Sequence, residues 1–386
     1  MGRAIFHDRE TTIPNGRLTC GNSAESTGMK TNTICATSNN STIGNFRSRS
    51  QFVKILATMV LSLMLLLTNS IADDAPATKD GASTKTPKSD AGKPDRNATM
   101  KTLGGRQFFG DVFFFHKWRI QHNVFTNTYR LLDGEDFQHA TGTYDECRAA
   151  MEKIREKSNL PPMKGKAVIL LHGIIRSSKS MNKFRKPLED AGYTVFSFDY
   201  PSTRVSIEKS ADYLNRAIES MKGIDEISFI GHSLGGLVTR AYLKKYDDER
   251  VYRVVMLGTP NKGAMLAGML KRSMTFRLLL GMAGQQLAKS EGTIKNLPAP
   301  DCEFAIIAGV RGTNDGFNPI LPGDDDGVVS LESALLPGAT DSLNVRSIHS
   351  LLPHDKAAIS AAVRFIKDGS LRENGQKRPV KEKNDQ

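Results

Sequence analysis

From about residue 166 onward, short apolar runs alternate with longer segments whose apolar residues recur at helical spacing. The apolar runs predict buried strands at 167–171, 194–198, 226–230, 251–257, 304–308 and 343–345. The amphipathic segments predict helices at 180–191, 206–221, 234–246 and 356–366. Alternation of this kind predicts an α/β fold with a mostly parallel central sheet and helices on both faces.

A different pattern precedes this domain, which we place at 161–368. Residues 103–160 contain aromatic, strand-like pieces at 108–118 and 124–132 and then a helix-like run at 144–157. They contain no group of residues of catalytic type. We therefore expect an amino-terminal appendage that packs on the domain, with a role that the sequence does not reveal.

The first 72 residues look like a leader followed by an export signal. Residues 1–50 are polar and too poor in large apolar residues to build a core. Basic residues then precede the apolar run 55–67, and Ser70-Ile71-Ala72 follows as a small-x-small site ahead of Asp73. This order predicts a secretory signal peptide and a periplasmic or extracellular protein. The alternative is a membrane anchor retained at 52–71, and translation that begins at Met29 would explain the long leader.

Two more segments predict disorder. Residues 73–102 are rich in Lys, Asp, Pro, Ala and Thr and are typical of a flexible linker. Residues 369–386 form a charged tail.

Composition narrows the possible partners. The 386 residues carry a net charge of +12, but the basic residues are not interleaved with stacking aromatics except at 113–119, whose alternation suits a strand. Nucleic acid is therefore not an expected partner. The positive charge would suit contact with anionic lipid or envelope polymers, although scattered solubilising charge explains it equally well.

The cysteines give little support for a metal or a disulfide framework. Cys20 and Cys35 precede the proposed cleavage site, which leaves Cys147 and Cys302, and none of the four has zinc-ligand spacing. Export would permit a disulfide between the remaining pair. Two separate buried thiols are the more ordinary arrangement.

The strongest chemical signal is Gly231-His232-Ser233-Leu234-Gly235, which follows a predicted strand and opens a predicted helix. This is the context of a G-x-S-x-G nucleophile elbow, in which a sharp turn lifts the serine hydroxyl clear of the sheet. We predict Ser233 as a nucleophile. Such a serine needs an imidazole to take its proton and a carboxylate to orient the imidazole.

Candidates for both partners lie downstream. Asp326 precedes Gly327-Val328-Val329 and is the predicted acid, while Asp324 and Asp325 are expected to stay in solvent. A plain acidic turn or a calcium loop would also explain three adjacent carboxylates. His349 directly follows the last predicted strand and is the predicted base; His354, beside the predicted helix cap Asp355, is the alternative.

An acyl-transfer intermediate also needs oxyanion donors, which are usually backbone amides. Leu234, the residue after the serine, supplies one, and Ile174, in the turn after the strand that ends at His172-Gly173, is the predicted second. His172 and His232 lie inside turn motifs, so we expect their side chains to be packed or bonded locally rather than to act as bases.

Taken together, His172-Gly-Ile174, the elbow 231–236, Gly258-Thr-Pro-Asn-Lys-Gly263, Asp326-Gly-Val-Val329 and His349-Ser-Leu-Leu352 resemble the lipase and esterase branch of the α/β-hydrolase superfamily. The resemblance covers about 165–368. It implies an α/β-hydrolase fold, a Ser233-Asp326-His349 triad, an oxyanion amide at Ile174 and no metal or organic cofactor. The adjacent Asp324 and Asp325 and the appendage at 103–160 depart from the family pattern.

We expect an exported serine hydrolase that cleaves small-molecule or lipid esters of carboxylic acids. Acyl transfer to an acceptor other than water and a non-catalytic binding role are the alternatives. An insertion at about 261–300 carries apolar residues at helical spacing, which suits either a packed helical insertion or a lid over the cleft. The sequence leaves the acyl chain, the alcohol and the oligomeric state open.

Overall fold

The first element that the structure describes along the chain is an antiparallel sheet, which we call the amino-terminal sheet. The computed structural model describes residues 100–101, 106–263, 292 and 294–382. The strands of this sheet are Met100–Lys101 (β1), Phe109–Phe115 (β2), Trp118–Asn123 (β3), Tyr129–Leu132 (β4) and Phe137–Gly142 (β5). Their order across the sheet is β1-β5-β4-β3-β2.

The chain reverses sooner in this sheet than the sequence predicts. The single strand expected at 108–118 is wrong, because β2 and β3 are arms of a hairpin in which Phe115 pairs with Trp118. The turn between them places His116 at φ 52°. The turn residues, His116 and Lys117, include neither a Gly nor an Asn-Gly pair, which are the usual sequence signs of a hairpin turn. The predicted strand at 124–132 likewise begins only at Tyr129.

A helix, α1 (Tyr144–Lys157), follows the sheet and begins as predicted. The Thr143 side chain accepts the backbone N–H of Glu146, and the Glu146 carboxylate accepts the N–H of Thr143. This reciprocal capping box satisfies two of the backbone donors that every helix start leaves unpaired.

Within the described residues, the central sheet has six parallel strands. They are β6 (Gly165–Leu171), β7 (Thr194–Phe198), β8 (Ile224–His232), β9 (Val251–Leu257), β10 (Glu303–Val310) and β11 (Asp341–Arg346). Their order is β11-β10-β9-β8-β6-β7. Every predicted strand of the domain is present, and all neighbours run parallel.

Five helices of the described chain belong to this domain. They are α2 (Arg185–Asp190), α3 (Ile207–Glu219), α4 (Leu234–Lys245), α5 (Leu331–Ala334) and α6 (Lys356–Asp368). The helix predicted at 180–191 is only partly α-helical, because a 3₁₀ helix occupies Ser178–Phe184. Pro187 explains the break, since proline is tolerated in the first turn of an α-helix but not in its interior.

Alternate residues of β6 face two cores. Ala167 and Ile169 join the core that contains α3, α4 and the amino-terminal sheet. Val168 and Leu170 join the core beneath α2 and α6. A strand covered on both faces is apolar along its whole length, which is why β6 reads as an unbroken apolar run.

The amino-terminal sheet packs on the domain through buried aromatics. Phe113 and Phe114 of β2 are 4% and 3% exposed and belong to the same core as α3. The Phe114 ring lies 5.1 Å from that of Phe196 in β7. The expectation of an appendage that packs on the domain therefore agrees with the described structure.

The end of the predicted linker at 73–102 is a strand. Met100 and Lys101 form β1 and pair with Gln138 and Phe137 of β5. A strand this short has little sequence signature of its own, and the partner strand provides its hydrogen bonds.

The predicted disordered tail is held against the domain as far as Val380. Asp341, which is fully buried, accepts the backbone N–H groups of Leu371 and Arg378 at 2.8 Å and the guanidinium of Arg372 at 2.7 Å. A buried carboxylate requires such donors, and here the tail provides them. The expectation of disorder from residue 369 is thus corrected for 369–380.

Cys147 and Cys302 are free thiols. Burial raises the pKa of both Cys147 and Cys302 to about 11. Thiols that remain protonated at neutral pH are weak nucleophiles. The structure therefore has two separate thiols rather than the disulfide that export would permit.

Several predictions concern residues outside the described ranges. They are the leader and export segment at 1–72, the linker as far as residue 99, the middle of the insertion at 264–291, and the last residues of the tail at 383–386. Of the helices that the structure describes, none is both long enough and apolar enough to cross a bilayer.

Candidate active site

Ser233 lies at the turn between β8 and α4. Its backbone has φ 53° and ψ −117°, and its N–H donates to the carbonyl of Leu257 at 2.8 Å. A non-glycine residue in this conformation costs about 1–3 kcal/mol, which the surrounding fold must offset. The side chain is 7% exposed.

The elbow glycines permit a close approach of backbones rather than a positive φ. A Cβ on Gly231 would lie 2.6 Å from the backbone nitrogen of Gly236, and one on Gly235 would lie 2.5 Å from the carbonyl oxygen of Leu171. Both contacts are shorter than any side chain allows. The strain therefore resides in Ser233 itself, and the glycines let α4 pack directly on the ends of β6 and β8.

His349 lies beyond the end of β11 and contacts the serine. Its Nε2 is 3.0 Å from Ser233 Oγ. His354 lies further on in the 3₁₀ helix Leu352–His354, and Asp355 caps α6 as predicted. Of the two histidines that the sequence left open, His349 is the one placed against the serine.

Asp326 completes the chain of hydrogen bonds. One carboxylate oxygen lies 2.7 Å from Nδ1 of His349, and the other accepts the backbone N–H groups of Val328 at 3.0 Å and Val329 at 2.8 Å. The side chain is 1% exposed. The turn that follows Asp326 thus fixes the direction of the carboxylate, as the sequence suggested.

The neighbouring acid residue Asp325 does not lie in solvent, so that expectation is wrong. It is fully buried and accepts the backbone N–H groups of Gly327 at 2.6 Å and Asn318 at 3.0 Å. Burial raises the pKa of its carboxyl above the usual value. Asp325 therefore ties together the loop from which Asp326 projects.

The third carboxylate, Asp324, accepts the backbone N–H groups of Arg311 at 2.9 Å and Gly312 at 3.0 Å. All three aspartates thus accept hydrogen bonds from backbone amides, and Asp326 also accepts one from the imidazole. Within the described residues, no cluster of His, Cys, Asp and Glu is arranged to hold a metal ion.

The two predicted oxyanion amides border the same space. A Cβ on Gly173 would lie 3.3 Å from the Ser233 Cβ, so the loop that carries Ile174 passes directly over the serine. Leu234 is the first residue of α4, where N–H groups have no partner within the helix. The backbone hydrogen bonds of the described chain use neither the Ile174 N–H nor the Leu234 N–H.

The loop 172–178, which we call the oxyanion loop, is strained next to Ile174. Ile175 has φ 66°, an outlier for a β-branched residue. Its N–H donates to Ser202 Oγ at 3.0 Å. No pattern in the sequence predicts this strain.

His172 is bonded locally, as expected. Its Nδ1 donates to the carbonyl of Gly173 at 2.7 Å, which leaves Nε2 to accept the N–H of Tyr200 at 3.4 Å. The Tyr200 hydroxyl donates to the His172 carbonyl at 2.6 Å, and the two rings stack 4.3 Å apart.

His232, in contrast, makes a long-range contact that the sequence did not predict. Its Nε2 donates to the backbone carbonyl of His349 at 3.1 Å, and the two rings lie 4.9 Å apart. Burial, together with nearby His349 and Arg176, lowers the pKa of His232 well below its usual range. It is therefore neutral and positions the histidine that contacts the serine.

One buried cation belongs to the helix that follows Ser233. Arg240 of α4 donates to the carbonyls of Asn261, Pro298 and Leu297, with the first two bonds at 3.0 Å. These residues lie on either side of the stretch 264–291. Arg240 thus ties together the two ends of the insertion, and burial lowers the pKa of its guanidinium to about 10.

Comparison with known proteins identifies the fold. Residues 166–296 match the family model of the alpha/beta hydrolase fold, and this stretch contains β6 to β9 and the elbow. The chain has the α/β-hydrolase fold. The prediction of that fold is confirmed.

The similar proteins are distant from this chain. Salicylic acid-binding protein 2 of Nicotiana tabacum is 29% identical over 102 residues, which are 24% of this chain and 39% of that protein. The match therefore spans less than half of that relative.

Among solved structures, the mature lipase BlEst2 of Bacillus licheniformis is 19% identical with a TM-score of 0.43, over 55% of this chain and 95% of that chain. The product of the lin2722 gene of Listeria innocua is 18% identical with a TM-score of 0.40, over 53% and 95% of the two chains.

Proposed function

We propose that this α/β hydrolase is an exported serine hydrolase that cleaves carboxylic esters through an acyl-Ser233 intermediate. The observation that carries the proposal is the continuous chain of hydrogen bonds from Ser233 Oγ through His349 to Asp326, at 3.0 and 2.7 Å. A serine hydroxyl is a poor nucleophile alone, and this arrangement provides both the base and the group that orients it.

In the first half of the reaction, Nε2 of His349 takes the hydroxyl proton as Ser233 Oγ attacks the ester carbonyl carbon. The carbonyl oxygen becomes an oxyanion, which the N–H groups of Leu234 and Ile174 stabilise. The imidazolium then gives its proton to the alkoxide oxygen of the breaking ester bond. The alcohol leaves, and the acyl group remains on Ser233.

In the second half, water takes the place of the alcohol. His349 removes a proton from the water as its oxygen attacks the acyl carbon, and a second oxyanion forms between the same two amides. The bond to Ser233 Oγ then breaks, and the proton passes from His349 to the serine. The carboxylic acid leaves, and the enzyme returns to its starting state.

Asp326 has a supporting part in both halves. It accepts the Nδ1 proton, which fixes the tautomer whose Nε2 faces the serine, and it stabilises the imidazolium. The two backbone amides on its other oxygen hold the carboxylate in the direction of the ring.

The proposed export rests on the sequence of the first 72 residues. The apolar run and the small-x-small site predict release at Asp73. Amino-terminal sequencing of the mature protein from a cell envelope or medium fraction tests it. A chain that begins at Asp73 supports cleavage, and a membrane-bound chain that keeps 52–71 supports the anchor instead.

A fluorophosphonate probe tests the proposed chemistry. The wild-type protein should label on the peptide that contains Ser233, and Ser233→Ala should neither label nor hydrolyse p-nitrophenyl esters, with a loss of at least about 10⁴-fold. His349→Ala should lose activity on the same scale, whereas the matched variant His354→Ala should keep most of it. A folded wild-type protein that does not label would overturn the proposal.

Product analysis separates hydrolysis from acyl transfer. With a short-chain alcohol added, a hydrolase should release mainly the free acid, and an acyltransferase should form mainly the new ester. A chain-length series of esters would then define the acyl preference.

A further inference from the structure

Gln107 connects the amino-terminal sheet to the oxyanion loop. It lies in the 3₁₀ helix Arg106–Phe108 immediately before β2. Its Nε2 donates to the backbone carbonyl of Arg176 at 2.9 Å. Its Oε1 accepts the hydroxyl protons of Ser202 and Thr203, both at 3.1 Å.

Ser202 carries the connection on to the strained residue. Its hydroxyl donates to Gln107 and accepts the N–H of Ile175 at 3.0 Å, so the bonds run in one direction from loop to sheet. Ser202 is fully buried. Gln107 thus holds the loop twice, directly at Arg176 and through Ser202 at Ile175.

A second connection fixes the far end of the loop. Asp199 accepts both the N–H of Ser178 at 2.7 Å and its hydroxyl at 2.8 Å. The Asp199 N–H donates to the carboxylate of Asp111 in β2 at 2.7 Å, and the Asp111 N–H donates to the Asp199 carbonyl at 2.9 Å. The amino-terminal sheet therefore contacts the loop at its middle and, through Asp199, at its end.

We propose that the amino-terminal sheet positions the second oxyanion amide, and that Gln107 is the positioning residue that acts through Ile175 on the Ile174 N–H. The proposal rests on the proposed serine-hydrolase function. It also assigns a role to the appendage, which carries no catalytic group of its own.

The strain at Ile175 explains why the loop needs this support. A β-branched residue at φ 66° persists only where its surroundings determine the conformation. If Ile175 relaxes to a negative φ, the peptide between it and Ile174 turns and the preceding amide moves with it. An oxyanion donor stabilises the transition state only when it is already aimed at the developing charge.

The test compares Gln107→Met, which keeps the length but removes all three hydrogen bonds, with Thr141→Ala. The Thr141 hydroxyl donates to the Tyr129 carbonyl within the same sheet, and Thr141 is exposed. We expect Gln107→Met to lower kcat for a p-nitrophenyl ester by about 10- to 100-fold. KM should stay within about twofold of the wild-type value, and Thr141→Ala should have wild-type kinetics.

A tetrahedral adduct and a rescue variant distinguish positioning from general damage. An alkylboronic acid forms an adduct that places an oxygen between the oxyanion donors. Its inhibition constant should rise in Gln107→Met by the same factor by which kcat/KM falls. Glycine accepts a positive φ without strain. In an Ile175→Gly background, Gln107→Met should therefore lower kcat by less than about threefold. Ser202→Ala, which removes the same support from the other side, should reproduce the kcat loss and serves if Gln107→Met does not fold.

The outcomes are distinguishable. An inactive, unlabelled wild-type protein would defeat the proposed function. An active wild type with kcat within twofold in both Gln107→Met and Ser202→Ala would overturn the positioning role alone. A rise in KM with unchanged kcat, or an equal loss in the Ile175→Gly background, would also overturn it.

Discussion

Asp326 and His349 are joined by two hydrogen bonds of different kinds. The backbone N–H of His349 donates to the backbone carbonyl of Asp326 at 2.8 Å, and Nδ1 of the His349 ring donates to the carboxylate at 2.7 Å. The side chains therefore meet because their main chains are already held together. The loop that carries the acid and the loop that carries the base form one unit at the end of β10 and β11.

Asp326→Asn tests the orienting role of the carboxylate. An amide at this position can present its N–H₂ group to the ring, which favours the wrong tautomer while preserving the backbone bond. We expect kcat to fall by about 10⁴-fold with little change in melting temperature. Asp324→Asn, which alters a neighbouring carboxylate that faces only backbone amides, should retain activity within a few-fold. Comparable losses in the two variants would contradict the assignment of Asp326.

Gly235→Ala tests the close approach of α4 to β6. The added Cβ would lie 2.5 Å from the Leu171 carbonyl oxygen and 2.9 Å from that of His172, and neither backbone atom can move without shifting the oxyanion loop or the helix. We expect a loss of at least about 10-fold in kcat and a lower melting temperature. The measurements are ester hydrolysis and thermal unfolding. Wild-type values for both would show that the helix can shift without disturbing the site.

The sequence predicted those parts of the site that depend on local patterns. Ser233 is predicted by an elbow motif with a strand before it and a helix after it. The structure places His349, predicted from its position after a strand, against Ser233, and it places Asp326, predicted from the turn that follows it, against His349. The parallel order of the sheet follows from the alternation of apolar and amphipathic segments. These features need only residues that are close in the chain or ordered along it.

Contacts between distant segments could not be predicted in this way. The bond from His232 to the His349 carbonyl spans 117 positions, and the bond from Gln107 to the Arg176 carbonyl spans 69. Neither hydrogen bond leaves a periodic pattern in the sequence. The burial of Asp325 also has no local sequence pattern, because its partner Asn318 lies across a loop whose fold is set by packing.

Arg240→Leu tests the connection between the ends of the insertion. Leucine fills part of the space but leaves the buried carbonyls of Asn261, Leu297 and Pro298 without their donor. We expect a loss of about 2–4 kcal/mol in the free energy of unfolding and a melting temperature lower by roughly 5–15 °C. Thermal and denaturant unfolding measure both. Arg240→Lys retains the charge with fewer donors and should fall between the wild type and Arg240→Leu, whereas an unchanged Arg240→Leu would contradict the role of this cation.

Asp111 makes the stability of the protein depend on pH. It is fully buried, its carboxylate accepts the N–H of Asp199 and the amide of Gln121, and Arg119 lies 4.0 Å away. Burial is the main reason that the pKa of Asp111 rises from 3.8 to about 7, with repulsion from Asp199 in the same direction and attraction to Arg119 opposing it. In the interval between these two values, the folded state binds a proton that the unfolded state has released.

The sign of the effect follows from this proton. The contribution of Asp111 to stability is fully present below about pH 4 and is lost as the pH rises through about 7, on the order of a few kcal/mol in total. Asp111→Asn cannot titrate. The difference in unfolding free energy between wild type and Asp111→Asn, measured with urea from pH 4 to 8, should therefore shift against the wild type as the pH rises and level off above about pH 7. Asp190→Asn, at an exposed carboxylate of α2 paired with Lys186, should lack that shift. A difference that stays constant or grows in favour of the wild type would contradict a raised pKa and would mean that Asp111 stays ionised beside Arg119 throughout this range.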